Sequence, residues 1–491
     1  RSCPSTTVIH THLYKLRRIY SELSDTKKSV LWYTAAMVIQ NGVLFLFTPG
    51  YTRILPDEQY GMFSVYQSWQ QVVSIVSVVA MDRCVTVGFM KYEGNRRGFL
   101  SSLQALMTLT VLCCAVLVCL FHGPITHLIG LPLPIVLAML AVSLMNNTLA
   151  NWTWLQRYEY HYRRLAFVTV GCTAAIQIVS TVAIMLFPAV DGGTVLIMSS
   201  TAIRVGLYGI IYIAVFAAGR RLFDREYWRF SFSYSLAVVP HALSQIILNS
   251  SARILIDKLC GRAEAAYYGV TYSAAMVLNI IMTSVSSAIQ PWFFERIRAR
   301  DYRNIRRKTN VFLLMAAGFA VAVSLFAPEI LAILAPVSYR SALGTFPPTA
   351  AGIFFNCMYL CFANFESYYE KPFYFSIATA TGAIANVALN LICIPLFGFV
   401  AAGYTTMICY MLFAFMHYRF MRRICRQELD DVRVFDVRFI LLLSVGTVLA
   451  TIGVSIMYGW HPAIRYGILI VVAIAALVCR RALARWLHDL L

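Results

Sequence analysis

Charged residues are scarce in this chain. Only 13% of its 491 residues are Asp, Glu, Lys or Arg, whereas 59% are hydrophobic. A soluble protein of this length needs polar groups over its whole surface, and so few charges could not cover it. The composition therefore predicts an integral membrane protein.

Acidic residues are the scarcer of the two charge classes. The chain has 22 Asp and Glu against 41 Lys and Arg, which gives a net charge of +19. The basic residues fall almost entirely in the tails and in alternate loops between apolar segments, as they do in the cytoplasmic loops of membrane proteins. This topology explains the charge without a nucleic-acid partner, and it predicts that both termini are cytoplasmic.

Recognisable catalytic motifs are missing as well. The sequence contains no nucleotide-binding loop, zinc-binding pattern or hydrolytic triad, so we expect no enzyme activity, no cofactor and no metal. No carboxylate lies deep in an apolar segment, since Asp82 and Glu366 are near inner ends and Glu329 is near an outer end. This absence argues against an ion-coupled drug antiporter.

Long apolar runs are what the chain does contain. Each is long enough for a helix to cross a hydrocarbon core of roughly 30 Å. Proline and glycine divide the longest runs into pairs of helices. The predicted spans are about 30–50, 61–81, 99–121, 134–155, 165–187, 194–218, 232–252, 265–290, 309–335, 343–365, 373–394, 399–418, 438–458 and 463–479. We predict an all-α integral membrane fold of about 14 transmembrane helices.

Two short motifs recur in the two halves of the chain. Arg53-Ile54-Leu55 and Tyr60-Gly61 are matched by Arg253-Ile254-Leu255 and Tyr268-Gly269. The repetition predicts two pseudo-symmetric six-helix lobes, an architecture of transporters. The expected parts are a cytoplasmic tail at 1–29, an N-lobe with helices 1–6 at 30–221, a C-lobe with helices 7–12 at 222–423, and helices 13–14 with a cytoplasmic tail at 424–491.

Three arginines are candidate anion contacts. Arg204 lies in the middle of the sixth span, where a bare guanidinium is costly, so it is expected to face a watery cavity or a partner. It either contacts an anion such as phosphate or is satisfied by carbonyls and amides within one lobe. Arg53 and Arg253, at the matching outer ends of the two lobes, either draw an anionic headgroup outward or act as interfacial anchors.

Several spans also carry polar faces. Amides in lipid need partners, and the side chains form either a hydrated cavity suited to sugar hydroxyls or hydrogen bonds between helices. For the set as a whole we favour the cavity. The residues are Gln67, Gln71, Asn147, Asn151, His241, Gln245, Asn249, Asn386 and Asn390.

Three segments resemble a known family. These are Pro49–Ser64, PGYTRILPDEQYGMFS; Pro240–Ile254, PHALSQIILNSSARI; and Ala388–Gly398, ALNLICIPLFG. They look like segments of Wzx-type O-antigen and polysaccharide flippases, in the polysaccharide transporter family of the multidrug/oligosaccharidyl-lipid/polysaccharide exporter superfamily. Arg53 and Asp82 match family-like positions, and Asp82 is a candidate gate residue. Many relatives place an arginine near Val87-Gly88-Phe89, whereas the nearest here is Arg83.

The resemblance implies a function and a setting. Such proteins move undecaprenyl-diphosphate-linked oligosaccharide, an O-antigen or similar repeat unit, from the cytoplasmic to the periplasmic leaflet of the bacterial inner membrane by alternating access. The implied partners are this lipid-linked oligosaccharide, membrane lipids, and polysaccharide polymerase and chain-length regulator proteins, and we expect a monomer.

The sequence leaves two alternatives to this function. A small-molecule drug exporter of the same superfamily is the alternative, and an acidic residue facing the cavity would favour it. A membrane-embedded polymerase or ligase would need a sizeable outer loop, which the sequence lacks.

Overall fold

The computed structural model describes residues 25–460, 462–468 and 470. Of these residues 89% are helical and none forms a strand. Helices dominate because a backbone in hydrocarbon must satisfy its own N–H and C=O groups, and a helix does so within one segment.

Sixteen α-helices, labelled here in chain order, make up the described part of the chain. They are α1 Asp25–Ile54, α2 Asp57–Val78, α3 Val85–Lys91, α4 Arg96–Leu120, α5 His122–Ile129, α6 Leu133–Tyr158, α7 Tyr162–Leu186, α8 Gly192–Gly219, α9 Arg225–Leu259, α10 Arg262–Arg298, α11 Tyr302–Leu325, α12 Ala327–Leu334, α13 Phe346–Tyr368, α14 Pro372–Phe397, α15 Ala401–Glu428 and α16 Val437–Met457. Short 3-10 helices occupy Met81–Cys84, Glu93–Asn95 and Val337–Thr345.

The predicted spans lie on these helices. Within the described residues, eleven helices are long and apolar enough to cross a membrane, or twelve if the bent pair Asp57–Val78 and Met81–Lys91 forms one span. Helix α15, on which the predicted span 399–418 lies, is long enough but less apolar. The predicted span 463–479 falls mostly outside the described residues. The all-α, multi-pass membrane fold is confirmed, with a helix count close to the predicted 14.

The chain divides into two compact units. Unit 1 comprises the described residues up to Tyr51 and Val73–Val238, and unit 2 comprises Thr52–Val72 and the described residues from Val239 onward. These ranges differ from the predicted lobes, 30–221 and 222–423, which remain a prediction.

A sharp bend interrupts the second predicted span. The axes of Asp57–Val78 and Met81–Lys91 differ by 62°. Val79 and Ala80, between them, both have positive φ, 53° and 51°. Such values are uncommon outside glycine, and for a β-branched valine they are a genuine outlier. The bend therefore stores backbone strain directly before Asp82.

The two Tyr-Gly motifs meet in unit 2. A Cβ placed on Gly61 of α2 would overlap the carbonyl of Arg262 at the start of α10. A Cβ on Gly269 of α10 would overlap the hydroxyl of Ser64 on α2. Each glycine thus lets the other motif's helix approach closely, which gives the sequence repetition a packing reason.

We expect Gly61→Ala to destabilise the protein by about 1–3 kcal/mol, because the added methyl group overlaps backbone that cannot move aside as a flexible side chain would. Thermal unfolding of the full chain in detergent measures the effect. Gly42→Ala is the matched control, since no atom lies within 4 Å of that methyl position. An equal fall in both variants would contradict the close helix approach.

Candidate substrate site

Arg204 lies near the middle of α8 in unit 1, as predicted. Its side chain is half-buried. Nη1 lies 3.5 Å from the hydroxyl of Ser200, one turn earlier, which is the outer limit of a hydrogen bond. Arg204 forms no ion pair with the residues that the structure describes. Its charge is therefore weakly compensated within unit 1.

A polar cluster lies beside Arg204. The guanidinium interacts electrostatically with the hydroxyls of Tyr51 on α1 and Tyr208 on α8. The Tyr51 hydroxyl donates to Gln177 Oε1 on α7 at 2.8 Å, and Thr181 donates to Tyr51 at 3.3 Å. These contacts hold acceptor and hydroxyl oxygens near the one cation in the middle of the span.

Asn147 and Asn151 lie on one face of α6 and are both buried. Asn147 Nδ2 donates to Ser74 Oγ on α2 at 3.1 Å and to the carbonyl of Ser143 at 2.8 Å. Asn151 Nδ2 has the sulfur of Met107 at 3.4 Å, a weak acceptor, and its Oδ1 is buried without a partner. Asn147 thus joins two helices, while Asn151 keeps an unsatisfied acceptor.

Asp82 lies in the 3-10 turn that follows the bend. Its Oδ2 is 3.2 Å from Nε of the neighbouring Arg83, and its Oδ1 is buried without a partner. Gly88 lies in the buried part of α3, and a Cβ there would overlap the ring of Phe99. Arg83, the arginine nearest to this segment in the chain before it, forms an ion pair with Asp82 at the bend.

Arg253 is the most deeply buried candidate cation in unit 2. It is 8% exposed, and its Nε is buried without a partner. The structure gives it no hydrogen bond or carboxylate partner among the described residues. Its guanidinium lies over the ring of Tyr272 on α10, 5.5 Å from the centroid, a cation–π contact. Burial without hydrogen bonds is costly for a guanidinium, so a contribution to folding stability does not explain why an arginine is present at this position.

Arg53, its sequence counterpart, has a different environment. Nη1 and Nη2 donate to the carbonyls of Ile333 and Ala332, each at 3.0 Å, at the end of α12. Thr52 donates to the carbonyl of Leu334 at 2.6 Å. Together they satisfy the last carbonyls of α12, which favours the anchoring interpretation for Arg53.

Gln67 and Gln71 lie on one exposed face of α2, in the part that belongs to unit 2. Neither side chain has a hydrogen bond with the described residues. Trp69, between them, is half-buried, and its Nε1 is buried without a partner. These donors and acceptors remain available to a ligand.

The three polar residues of α9 are more engaged. His241 Nδ1 lies 2.9 Å from Thr379 Oγ1 on α14. Asn249 accepts from the Tyr410 hydroxyl at 3.2 Å and donates to the carbonyl of Gln245 at 2.9 Å. The structure gives the half-buried Gln245 side chain no partner among the described residues. Hydrogen bonds between helices therefore account for His241 and Asn249, whereas the Gln245 side chain remains available to bind a ligand.

Asn386 and Asn390 on α14 are wholly buried. Asn386 accepts from Ser251 at 2.7 Å and from Asn390 at 3.0 Å, and Asn390 accepts from Thr405 at 2.6 Å. Here the hydrogen bonds join α9, α14 and α15, so for this pair the helix-packing alternative fits and a cavity lining does not.

Sequence reasoning missed several partners of these residues. Tyr272, which lies beneath Arg253, and Gln177, which accepts from Tyr51, are two of them. Each is an aromatic or polar residue within an apolar span, which is a signal visible in the sequence. Glu366 does lie near the end of α13, as predicted, but it is wholly buried against His417 of α15. The predicted span 399–418 contained that histidine without giving it a role.

A family match covers more than half of the chain. The family described as "Polysaccharide biosynthesis protein" matches residues 26–298. The chain belongs to the polysaccharide biosynthesis protein family. The resemblance to flippases of the multidrug/oligosaccharidyl-lipid/polysaccharide exporter superfamily is thereby confirmed.

Other relatives of this polysaccharide biosynthesis protein are distant in sequence. An uncharacterized membrane protein of Methanocaldococcus jannaschii is 22% identical over 461 residues, covering 85% of this chain and 87% of that protein. The structure of the lipid II flippase MurJ in an inward closed conformation has a TM-score of 0.66 at 12% identity, covering 92% of this chain and 100% of that one. An inward-facing multidrug resistance MATE family transporter has a TM-score of 0.62 at 11% identity, covering 81% and 98%. The fold is that of transporters.

The two repeat arginines generate a prediction. Arg53→Met removes two hydrogen bonds and should lower the free energy of unfolding by about 1–2 kcal/mol. Arg253→Met replaces a buried cation without hydrogen bonds by an apolar chain and should leave stability unchanged or raise it. Thermal unfolding of both variants in detergent measures this difference. Equal destabilisation would show that Arg253 is also a structural residue.

Proposed function

We propose that this protein is a flippase that moves undecaprenyl-diphosphate-linked oligosaccharide from the cytoplasmic to the periplasmic leaflet of the bacterial inner membrane. The headgroup would be an O-antigen or similar repeat unit. The predicted lobes, 30–221 and 222–423, would alternate access to the two sides, with 424–491 as two added helices and a tail.

Family and fold support this proposal. The family is one of polysaccharide biosynthesis proteins, and the fold is shared with a protein named as a lipid II flippase. A glycan with a diphosphate cannot cross hydrocarbon unaided, because every hydroxyl and charge would lose its hydration. A transporter must therefore supply polar groups along the path.

The observation that carries the proposal is the state of Arg204. It lies in mid-span and is half-buried, and among the described residues it has one hydrogen bond at the limiting distance, to Ser200, beside the hydroxyls of Tyr51 and Tyr208. The described part of the chain gives this costly intramembrane charge no carboxylate partner, and a charge of this kind is by default functional. A guanidinium fork matches the oxygens of a phosphate group, which makes the lipid diphosphate a fitting counter-ion.

The remaining polar groups would receive the sugar. Within the described residues, the amides that keep donors or acceptors without a partner are Gln67, Gln71 and Gln245 in unit 2 and Asn151 in unit 1. Amide groups of this kind suit glycan hydroxyls. Arg253, buried without hydrogen bonds, would bind the diphosphate at the outer end of the path. The strained bend before Asp82 supports a gating role for that residue at the inner end.

The drug-exporter alternative has less support. It would be favoured by an acidic side chain open to a cavity, whereas the buried Glu366 is paired with His417 at 2.8 Å.

Polysaccharide polymerase and chain-length regulator proteins would take the product on the periplasmic side, and the flippase itself would act as a monomer.

Arg204→Ala should abolish surface glycan while the protein level holds, because the anion then meets no cation in mid-span. Arg204→Lys should restore display partly, since an ammonium keeps the charge but lacks the fork. Glycan display on cells that depend on this protein, quantified beside membrane protein level, measures both effects.

Arg220→Ala is the matched control, because Arg220 is an exposed arginine that follows the end of the same helix. It should display glycan normally. Normal display by Arg204→Ala would remove Arg204 from the mechanism, and altered drug susceptibility with unchanged glycan would favour the exporter.

A further inference from the structure

Glu366 and His417 form a buried pair that the proposed transport path does not use. His417 Nδ1 on α15 lies 2.8 Å from Glu366 Oε1 on α13, and both side chains are 0% exposed. The second heteroatom of each group, Glu366 Oε2 and His417 Nε2, is buried without a partner. Two titratable groups thus share one hydrogen bond, and no other polar atom of the described residues is within hydrogen-bonding distance of either.

Aromatic rings enclose the imidazole. Ring centroids of Tyr359, Phe375 and Phe413 lie 5.0, 5.4 and 4.5 Å from that of His417. These residues belong to α13, α14 and α15, so the enclosure comes from three helices of unit 2. Apolar surroundings of this kind penalise any net charge on the pair.

Few other charges act on the pair. The groups that interact electrostatically with Glu366 are His417 and the Tyr359 phenol. The other charged groups on or beside the helices around α13 are paired, stacked, exposed or at helix ends. Lys371 lies 4.0 Å from Glu428, Arg422 is bonded to Asp431, Arg296 is bonded to Asp301, and Lys308 lies over Trp292. The exposed ones are Arg419, Arg423 and Arg426 on α15, Glu295 and Arg298 on α10, and Arg303, Arg306 and Arg307 on α11. Arg262 and Glu264 lie in the first turn of α10, and Arg438 in that of α16.

This environment favours a single proton on the pair. With one proton shared, the two groups are neutral together, either as carboxylate and imidazolium or as carboxylic acid and imidazole. A second proton would leave a net positive charge in apolar surroundings, and loss of the proton a net negative one, and both are costly. One proton shared between the two groups is therefore the state that the closed geometry favours.

We propose that Glu366 and His417 form a proton-binding site that loads when the inner ends of α13 and α15 pack together and empties when they separate. Separation would hydrate both groups. The shared proton would then pass to water, because a hydrated carboxylate carries its charge at little cost. Closing would take up one proton from water, so each opening and closing moves one proton on and off the protein. The site does not require the proposed substrate.

The first test is infrared spectroscopy of the full chain in lipid nanodiscs. Spectra are compared between about pH 5 and pH 8, the range in which histidine ordinarily titrates. In His417→Gln the lone buried Glu366 should stay protonated and give a carboxylic-acid band at neutral pH. That band should be lost in the double variant Glu366→Gln/His417→Gln and kept when Glu93→Gln, an exposed carboxylate, is the second change. Absence of the band in His417→Gln would overturn the proton site.

The second test uses native thiols as reporters of opening. Cys425 is buried on α15, two turns beyond His417, and interacts with Tyr369 next to α13. Cys84 is equally buried in unit 1 and corrects for the general rise of thiol reactivity with pH. In the wild type, maleimide labelling of Cys425 relative to Cys84, mapped by mass spectrometry, should rise with pH.

In the double variant Glu366→Gln/His417→Gln the ratio should not change with pH, because no titratable group then remains at the site. His417→Gln alone should keep the rise, because the closed state still holds a proton on the buried Glu366 that hydration would release. A pH-dependent ratio that persists in the folded double variant, a flat ratio in His417→Gln, or a flat ratio in the wild type would overturn the link between proton and opening.

Discussion

The cost of an unpartnered polar group in hydrocarbon governs this structure. Serine and threonine hydroxyls avoid this cost within their own helix. Thr169 donates to the carbonyl of Leu165, and Thr451 donates to that of Thr447. Longer amides cannot fold back so easily and must find another helix, as Asn386 does with Ser251. The amides therefore specify which helices pack together. An amide without a hydrogen-bond partner on another helix remains available to bind a ligand.

Arginines meet the same cost in two ways. α1 ends at Ile54, so the side chain of Arg53 extends past the helix to the open carbonyls of α12. α9 continues to Leu259, about two turns past Arg253. Arg253 therefore remains between packed helices, where its guanidinium contacts the ring of Tyr272. A repeated motif thus gave one structural and one unsatisfied guanidinium. Equal sequence does not give equal roles when the helices end at different places.

Apolar runs and their breakers were sufficient to predict the helices, because span length depends on the hydrocarbon thickness alone. The mid-span position of Arg204 followed from the same counting. The partners did not follow. Asn147 and Ser74 are 73 residues apart and Glu366 and His417 are 51 apart, and no periodicity along one helix reports which face of another helix it meets. Only the folded structure therefore shows which polar side chains form hydrogen bonds between helices and which have no partner.

Depth along a span and burial are different properties, and the distribution of charge depends on both. Glu366 lies near a helix end yet is sealed, and Glu329 on α12 is paired with Arg465 at 3.0 Å. The Glu329 carboxylate also accepts a hydrogen bond from the Tyr466 hydroxyl at 2.8 Å. These negative groups are neutralised, whereas Arg204 and Arg253 are not. This asymmetry suits an anionic ligand such as the proposed diphosphate, because an unpaired carboxylate would repel the anion that an unpaired guanidinium attracts.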